Sequence, residues 1–315
     1  MAIEFMDPRK TFGSTVTDLA ASNKDIVVLS ADSGKSSGFG EFIKEYPERY
    51  FECGIMEQGV VGVASGLATT GKIPVFCAIA PFITVRPYEM LRNDIGYMRQ
   101  NVKLVGRNGG ISYSDLGATH HSLEDFAVMS MIPGMVVLAP QDPGEIIEAV
   151  KTMIAYKGPV YMRIGNAKIP CLFEQKEFVI GKGTVIKAGR DITIISTGSI
   201  TSEVMKAEKM LNEMGIKAEI IGMPTVSPID EDLIVQSVSK TTYAITVEEH
   251  YAKGGLSSAV LGVINKNRVH CEFMGLGIPH DYAANGDYEG LLEYYHLDAK
   301  GITETVKKFL QCSKG

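Results

Sequence analysis

Glu57 stands in the run CGIMEQGVVGVASG, which is otherwise uncharged and too apolar for an exposed surface. The small residues around it are Gly54, Gly59, Gly62, Ala64 and Gly66. They allow another backbone to approach this segment closely. One reading is a buried helix whose carboxylate is paired. The other is a catalytic acid in a low-dielectric interface, where desolvation favours the protonated form and lets Glu57 share a proton with a ligand.

A second polar cluster lies in SDLGATHHSLED, between a predicted strand and a predicted helix. Its titratable residues are Asp115, His120, His121, Glu124 and Asp125. Adjacent histidines point about 100° apart on a helix and to opposite faces of a strand, so His120 and His121 are poor joint metal ligands. Either one of them bonds the next helix, or one imidazole holds a polar substrate.

Two aromatic residues and three arginines complete the candidates. Phe82 and Tyr88 follow the predicted strand IPVFCAIA at its ligand end, although core packing is the commoner role of such rings. Arg9, Arg107 and Arg163 each lie beside a predicted element end, where they could clamp an anionic substrate group. The ordinary alternative for each arginine is a solvated or ion-paired side chain.

Alternating apolar runs and helical patterns must position these residues. DIVVLSAD predicts a buried strand that ends at Asp32, before the glycine-rich loop SGKSSGFG. Further predicted strands are IPVFCAIA, NVKLVGRNGG, MVVLAPQD and PVYMRIGN, separated by helical patterns in PYEMLRNDIGYMRQ and PGEIIEAVKTMIAYKG. This alternation predicts an α/β fold with a parallel sheet.

The pattern changes near residues 167–190, where Pro170 and short alternating stretches predict a linker. We therefore expect a first domain over residues 7–180, with the linker from about 167, and a second, smaller mixed-sheet α/β domain over residues 190–315. A length of 315 residues and 45% hydrophobic composition suit two domains.

Composition excludes several classes of function. A net charge of -6 without a long basic run argues against nucleic acid or an anionic membrane as the partner. The five cysteines form no Cys-x-x-Cys pair, and no apolar run reaches the ~20 residues of a membrane span, so we expect a soluble cytoplasmic protein. Neither G-x-G-x-x-G nor G-x-x-x-x-G-K-[ST] occurs, which argues against an NAD or ATP site.

Several segments, in order, resemble thiamine-diphosphate enzymes of the transketolase family. The segment RYFECGIMEQGVVGVASGLATTGKIPVF resembles the part that carries the glutamate of the pyrimidine-binding domain. LSADSGKSS, the aromatic run after PVFCAIA, GATHHSLED and TVEEHYAKGGLSSAV extend the resemblance over almost the whole chain. The chain is similar to the C-terminal half of a transketolase, namely its pyrimidine-binding and C-terminal domains.

The resemblance assigns roles toward thiamine diphosphate. It implies that Glu57 is catalytic and hydrogen-bonds N1′ of the aminopyrimidine, favouring the tautomer that removes the C2 proton of the thiazolium. Phe82 would stack on the aminopyrimidine, with Tyr88 nearby, and Asp32 would contact the thiamine. No G-D-G motif with a suitably spaced Asn is present, so the resemblance implies a separate N-terminal subunit that holds the diphosphate with Mg2+ or Ca2+. The simplest assembly is an α2β2 tetramer.

The resemblance also assigns roles toward the substrate. His120 would be catalytic and bond the donor's hydroxyl and carbonyl oxygens, while Arg9 and Ser36 would bind its terminal phosphate. The aspartate that reads an acceptor hydroxyl in the family is replaced by Leu116, and Asp115 lies one residue out of register. The usual preference for hydroxylated aldehydes is therefore in question.

A second departure concerns the substrate's anionic group. Asn166 occupies the position of a phosphate-binding arginine, while Arg163 matches an arginine of deoxyxylulose-phosphate synthases and Arg107 replaces a family histidine. We therefore expect ketol transfer from a ketose phosphate, or a related anionic ketose such as a sulfo-sugar, to an aldose phosphate. The alternatives are the β subunit of a 2-oxo acid dehydrogenase E1 component and a non-catalytic structural paralogue.

Overall fold

The computed structural model of the chain describes residues 5–172 and 177–312. Two segments of the predicted domains lie outside this range: residues 173–176 of the predicted linker and residues 313–315 of the predicted second domain. Across the described part, the chain forms an α/β fold with one large, mostly parallel sheet and one smaller mixed sheet.

The first domain follows the predicted alternation of strands and helices. Its strands are β1 (Phe5–Met6), β2 (Ile26–Ser30), β3 (Tyr50–Glu52), β4 (Ile73–Ile79), β5 (Lys103–Arg107), β6 (Val136–Leu138), β7 (Val160–Arg163) and β8 (Ile169–Pro170). Its α-helices are α1 (Pro8–Ser22), α2 (Gly40–Glu45), α3 (Glu57–Thr69), α4 (Ala80–Thr84), α5 (Tyr88–Met90), α6 (Asp125–Ser130) and α7 (Pro143–Ala155). Short 3-10 helices span Pro47–Arg49 and Ser114–Thr119, and a π-helix spans Leu91–Tyr97.

The second domain also alternates strands and helices, around a smaller sheet. Its strands are β9 (Thr184–Lys187), β10 (Ile192–Ser196), β11 (Ala218–Gly222), β12 (Thr225–Ser227), β13 (Tyr243–Tyr251) and β14 (Glu272–Ile278). Its α-helices are α8 (Thr201–Glu213), α9 (Glu231–Thr241), α10 (Leu256–Lys266), α11 (Tyr288–Tyr294) and α12 (Ala299–Cys312), and a 3-10 helix spans Gly198–Ile200. Among the described residues, no helix is both long and apolar enough to cross a membrane.

Aspartate–proline pairs begin two of the helices that cover the large sheet. Asp7 precedes Pro8 and accepts the Arg9 N–H at 2.9 Å, which caps α1. Asp142 precedes Pro143 and accepts the Glu145 N–H at 2.8 Å, which caps α7. Proline suits the first helical position because its missing N–H has no helical partner there, and the aspartate oxygen satisfies a free N–H of the first turn.

The large sheet has the strand order β12-β6-β7-β5-β4-β2-β3, and every pair except β12–β6 is parallel. Apolar side chains of α1, α2 and α7 cover one face, whereas α3, α4, α6 and the π-helix cover the other. Coverage of both faces explains why every residue of β2, β5 and β7 is buried, without alternation along the strand. Parallel order also brings the carboxyl ends of β2, β4 and β5 to one edge.

The small sheet has the order β14-β13-β10-β11-β9, and β9 is antiparallel to β11, so the sheet is mixed as expected. β12 does not belong to this small sheet. It pairs antiparallel with β6 of the large sheet, with Thr225 opposite Leu138 and Ser227 opposite Val137. A segment of the second half therefore forms an edge strand of the first domain and joins the two sheets.

The predicted helix over residues 87–100 is wrong in detail. The segment forms the short helix α5 and then the π-helix Leu91–Tyr97. Ser65 of α3 donates its hydroxyl to the Asp94 carbonyl at 2.7 Å, and Gly96 packs where a Cβ would lie 2.3 Å from Ile132. These tertiary contacts favour the wider turn over the regular helix that the apolar spacing predicts.

Candidate active site

The carboxyl-terminal edge of the large sheet carries the candidate site. Asp32 follows β2, Phe82 lies on α4 directly after β4, and Arg107 ends β5. Glu57 begins α3, after the loop that leaves β3. These elements enclose a cavity of about 240 Å³, whose lining includes Asp32, Ser36, Glu57, Phe82, Arg86 and Arg107. The cavity is thus lined by residues at or just after the carboxyl ends of four neighbouring parallel strands, which is where ligand sites of such sheets are expected.

Glu57 is a buried carboxylate with one charged partner. Only 4% of the residue is exposed, and Arg86 Nη1 donates to Glu57 Oε2 at 2.7 Å. The Arg86 guanidinium also lies over the Phe82 ring, 3.9 Å from its centroid. One planar cation thus bonds the acid and covers the aromatic face, two favourable contacts for an arginine.

His120 is held beside Phe82 at the end of the 3-10 helix Ser114–Thr119. Its ring packs edge-on against Phe82 with centroids 5.1 Å apart, and against Tyr113 at 5.5 Å. Thr119 Oγ1 lies 2.9 Å from His120 Nδ1, within hydrogen-bond distance. This bond leaves Nε2 of the imidazole for a substrate oxygen. The neighbouring His121 is buried instead, with Nε2 3.4 Å from the Ser114 carbonyl oxygen.

A polar loop after β2 forms the floor of the cavity. Asp32 adopts a left-handed backbone conformation (φ 55°), and its N–H donates to Glu52 Oε1 at 2.7 Å. Arg107, which is 4% exposed, donates to Ser36 Oγ at 3.1 Å and to Ser37 Oγ at 3.2 Å. A buried guanidinium that orders two hydroxyl groups is suited to an anionic substrate group.

Arg9, Tyr88 and Asp115 lie outside the set that lines the cavity, and so does His120, which reaches it only through its contact with Phe82. Arg9 pairs with Asp7 at 3.0 Å. The carbonyl oxygen of Arg9 packs closely on the loop after β2, since a Cβ on Gly38 would lie only 2.1 Å from it. Tyr88 is half-buried and packs on the core beneath α3, whereas Asp115 is exposed. Arg9 is thus adjacent to the proposed anion site without entering the cavity.

Arg163 lies at the junction of the two domains. It is 8% exposed, donates to Asp125 Oδ1 at 3.1 Å and to the Glu249 carbonyl at 2.6 Å, and stacks on Phe126 at 4.4 Å. Tyr161 donates to the other oxygen of Asp125 at 2.7 Å. Through these contacts Arg163 joins the two domains. It does not line the cavity.

Arg86 lines the cavity, and Tyr113 and Glu52 contact His120 and Asp32, but the sequence pointed to none of the three. Arg86 follows Phe82 by four residues, a spacing that places two side chains on the same side of a helical turn. That spacing was the available signal for Arg86. Glu52 accepts the N–H groups of Asp32 and Gly54, a long-range contact for which the sequence carries no pattern.

The donor set fits the aminopyrimidine of thiamine diphosphate. A buried carboxylate beside an aromatic ring face suits a flat heterocycle that carries nitrogen donors. The Arg86 guanidinium, which is flat and donates through nitrogen, already makes both contacts with Glu57 and Phe82. Within residues 5–172 and 177–312 there is no group of three or more His, Cys, Asp or Glu side chains that could hold a metal ion.

Comparisons with known families identify two domains in the chain. Residues 5–170 match the family described as transketolase, pyrimidine binding domain, and residues 181–302 match transketolase, C-terminal domain. One subunit of the apulose-4-phosphate transketolase of Phocaeicola vulgatus is 38% identical over 99% of this chain and 100% of its own length.

Two further relatives share nearly the whole length. The 6-deoxy-6-sulfo-D-fructose transketolase subunit SqwH of Clostridium sp. (strain MSTE9) is 33% identical over 95% of this chain and 92% of its own. A solved structure described as a split gene transketolase, inactive beta4 tetramer, superposes with a TM-score of 0.90 at 37% identity, covering 97% of this chain and 99% of that one.

Proposed function

The chain belongs to the transketolase family, and from that premise we propose that it is the small subunit of a two-chain transketolase. It transfers a two-carbon ketol unit from an anionic ketose to an aldose phosphate. The observation that carries the proposal is the buried Glu57 carboxylate beside the Phe82 ring, at an edge where four strands converge.

This chain's residues bind and orient the pyrimidine half of the cofactor. Phe82 offers a ring face for stacking, and Glu57 holds a proton at the pyrimidine nitrogen from a buried position. Asp32 lines the cavity and contacts the thiamine, while Tyr88 packs on the core beneath α3. Thiamine diphosphate, when bound, supplies the carbanion that attacks the donor ketone.

The substrate side uses a different set of groups. His120 donates from its free ring nitrogen to the donor's oxygens, in an orientation that Thr119 and Phe82 maintain. Ser36, ordered by Arg107, and the adjacent Arg9 bind the terminal anion. Asp115 contacts the acceptor aldose from its exposed position on the 3-10 helix Ser114–Thr119. Arg163 supports the site indirectly, by holding the domain junction through Asp125.

Relatives of this chain differ in the ketose that their names specify. One is described as acting on apulose 4-phosphate and another on 6-deoxy-6-sulfo-D-fructose. Both ketoses end in an anion, a phosphate in one and a sulfonate in the other. We therefore assign the donor class as a ketose with a terminal anion, within carbohydrate metabolism.

A separate diphosphate-binding subunit completes the enzyme. The relative in Phocaeicola vulgatus is named as one subunit of its transketolase, and the solved relative is described as an inactive beta4 tetramer. We infer an α2β2 complex in which the partner holds the diphosphate and its Mg2+ or Ca2+. Cys53, Cys77, Cys271 and Cys312 are free thiols, which fits a reducing cytoplasm.

Turnover by the complex tests the proposal. This chain is purified with its partner and supplied with thiamine diphosphate and Mg2+. Donors are xylulose 5-phosphate, fructose 6-phosphate and 6-sulfo-fructose; acceptors are glyceraldehyde 3-phosphate and ribose 5-phosphate. The proposal predicts two-carbon transfer without carbon dioxide, and none from this chain alone. Release of carbon dioxide from pyruvate without ketol transfer would instead make the chain an E1 β subunit, and failure to bind the cofactor a structural paralogue.

A further inference from the structure

Arg86 makes, within this chain, the two contacts that the proposed function gives to the cofactor's pyrimidine. Its Nη1 donates to Glu57 Oε2 at 2.7 Å, and its guanidinium carbon lies 3.9 Å from the Phe82 ring centroid. Glu57 is buried, whereas the Arg86 side chain is 35% exposed. The acid is therefore fixed, and the arginine has solvent beside it into which it can move.

The ion pair has a physical reason in a chain without cofactor. A carboxylate taken out of water is costly unless a cation or several donors compensate it. Among the described hydrogen bonds of Glu57, Arg86 supplies the one that reaches its carboxylate from another side chain. A ligand that donates a hydrogen bond to Glu57 and stacks on Phe82 would take over both tasks.

We propose that Arg86 is a gate on cofactor loading: it covers Glu57 and Phe82 in the cofactor-free enzyme and leaves them when thiamine diphosphate binds. The proposal rests on the function assigned above and deepens it. When only the open fraction of a protein binds a ligand, the apparent dissociation constant is the intrinsic one divided by that fraction. Arg86 therefore weakens cofactor affinity, although it is a cation and the cofactor is an anion.

The direction in which cofactor affinity changes when the arginine is replaced distinguishes a gate from an ordinary binding residue. Replacing an arginine that binds the cofactor weakens binding, and removing any nearby cation weakens the attraction of an anion. Replacing a gating arginine strengthens binding. One charge-assisted hydrogen bond and one partly exposed cation–π contact hold the closed state. Their loss is expected to lower the apparent dissociation constant of the cofactor about tenfold.

The experiment measures thiamine diphosphate affinity by isothermal titration calorimetry of the assembled two-subunit enzyme with Mg2+. We compare the wild type with Arg86→Met, which keeps the length of the side chain but removes the guanidinium. Arg92→Met is the matched control, because Arg92 is an exposed arginine of the neighbouring π-helix that does not line the cavity. It reports the effect of losing one positive charge.

The gate predicts that Arg86→Met binds thiamine diphosphate about tenfold more tightly than the wild type, whereas Arg92→Met does not bind more tightly. Equal or weaker binding by Arg86→Met, with normal binding by the wild type, overturns the gate and leaves the proposed function standing. If neither the wild type nor the variant binds the cofactor, the proposed function fails and the gate fails with it.

Discussion

The imidazole of His120 packs edge-on against the Phe82 ring, with centroids 5.1 Å apart and planes inclined by 63°. Phe82 belongs to α4, and His120 ends the 3-10 helix after Tyr113, so the contact joins two segments that lie far apart in the sequence. Edge-to-face aromatic pairs contribute roughly 0.5–1.5 kcal/mol beyond burial. The residue proposed for the cofactor thus positions the residue proposed for the substrate.

Thr119 fixes the hydrogen-bonding pattern of His120, because its hydroxyl lies 2.9 Å from Nδ1. Replacing Thr119 with Val removes this partner and leaves the ring free to turn. We expect kcat/KM for the donor ketose to fall about fivefold, in line with one hydrogen bond of roughly 1 kcal/mol. Thr119→Ser keeps the hydroxyl and is expected to retain wild-type kinetics; equal rates for the Val and Ser variants would contradict this role.

Arg107 orders Ser36 and Ser37 at the floor of the cavity. We expect Arg107→Met to raise the KM for an anionic ketose about tenfold, since a charge-assisted hydrogen bond contributes roughly 1.5–3 kcal/mol. The KM for an uncharged ketose such as erythrulose is expected to stay near the wild-type value. Steady-state kinetics with both donors measure the difference.

Arg190 provides the control for this experiment. Its side chain is 81% exposed, on the second domain, and faces Asp191. Arg190→Met removes the same charge and is expected to leave both KM values unchanged. A parallel rise of both KM values in Arg107→Met would show that Arg107 only supports the fold of the loop.

His250 links stability to pH at the domain junction. Burial lowers its pKa from 6.5 to about 4, in spite of Asp125, whose carboxylate lies 4.0 Å from Nε2. The ring stacks on Phe126, and Nδ1 lies 2.7 Å from the Tyr251 carbonyl oxygen. Because the folded pKa is below the unfolded one, the folded chain binds fewer protons. The contribution of His250 to the free energy of unfolding is therefore present above pH 6.5 and is lost as pH falls toward 4.

Glu248 acts in the opposite direction in the same cluster. Burial raises its pKa from 4.5 to about 7, although the Leu256 and Ser257 N–H groups donate to its oxygens. The folded chain then binds more protons, so stability falls as pH rises from 4.5 to 7. The effect of His250 therefore has to be measured as a difference between two variants.

The comparison is between the wild type and His250→Gln, by urea unfolding at pH 6.5 and pH 5.0. Between these pH values the wild type should lose about 2 kcal/mol more of its free energy of unfolding than the variant, at about 1.4 kcal/mol per pH unit. His270→Gln, which changes an exposed histidine, should behave as the wild type. Identical pH dependence of wild type and His250→Gln would refute the linkage.

The order of elements could be predicted because apolar runs and helical spacing are local signals. The strands around Val28, Val75 and Val105 were predicted from apolar runs, and the helix that begins at Pro143 from its helical pattern. The pairing of Thr225 with Leu138 was not, since register between distant segments leaves no periodic trace. The π-helix was not predicted, since its contacts with Ser65 and Ile132 involve residues that are remote in sequence.

The candidate site could be predicted to a similar extent. Glu57 is conspicuous because it is charged within an apolar run, and Asp32 because it ends a strand. Arg86 lies 29 residues from Glu57 in the sequence, and only the tertiary fold brings the two side chains together. Arg163 resembles an anion clamp in sequence, but the structure places it against Asp125 at the junction, because the chain folds the second domain over it.

Turnover of Glu57→Gln in the assembled enzyme, at saturating thiamine diphosphate, tests the central claim most directly. The amide keeps the shape of the side chain but cannot share a proton as the acid does, and such proton transfer contributes 10²- to 10⁴-fold to rate as an order of magnitude. Glu89→Gln, which alters an exposed glutamate of α5, is the control. We predict that the Glu57 variant assembles with its partner normally and that its ketol transfer falls by about 10³-fold. Ketol transfer near the wild-type rate would contradict the account.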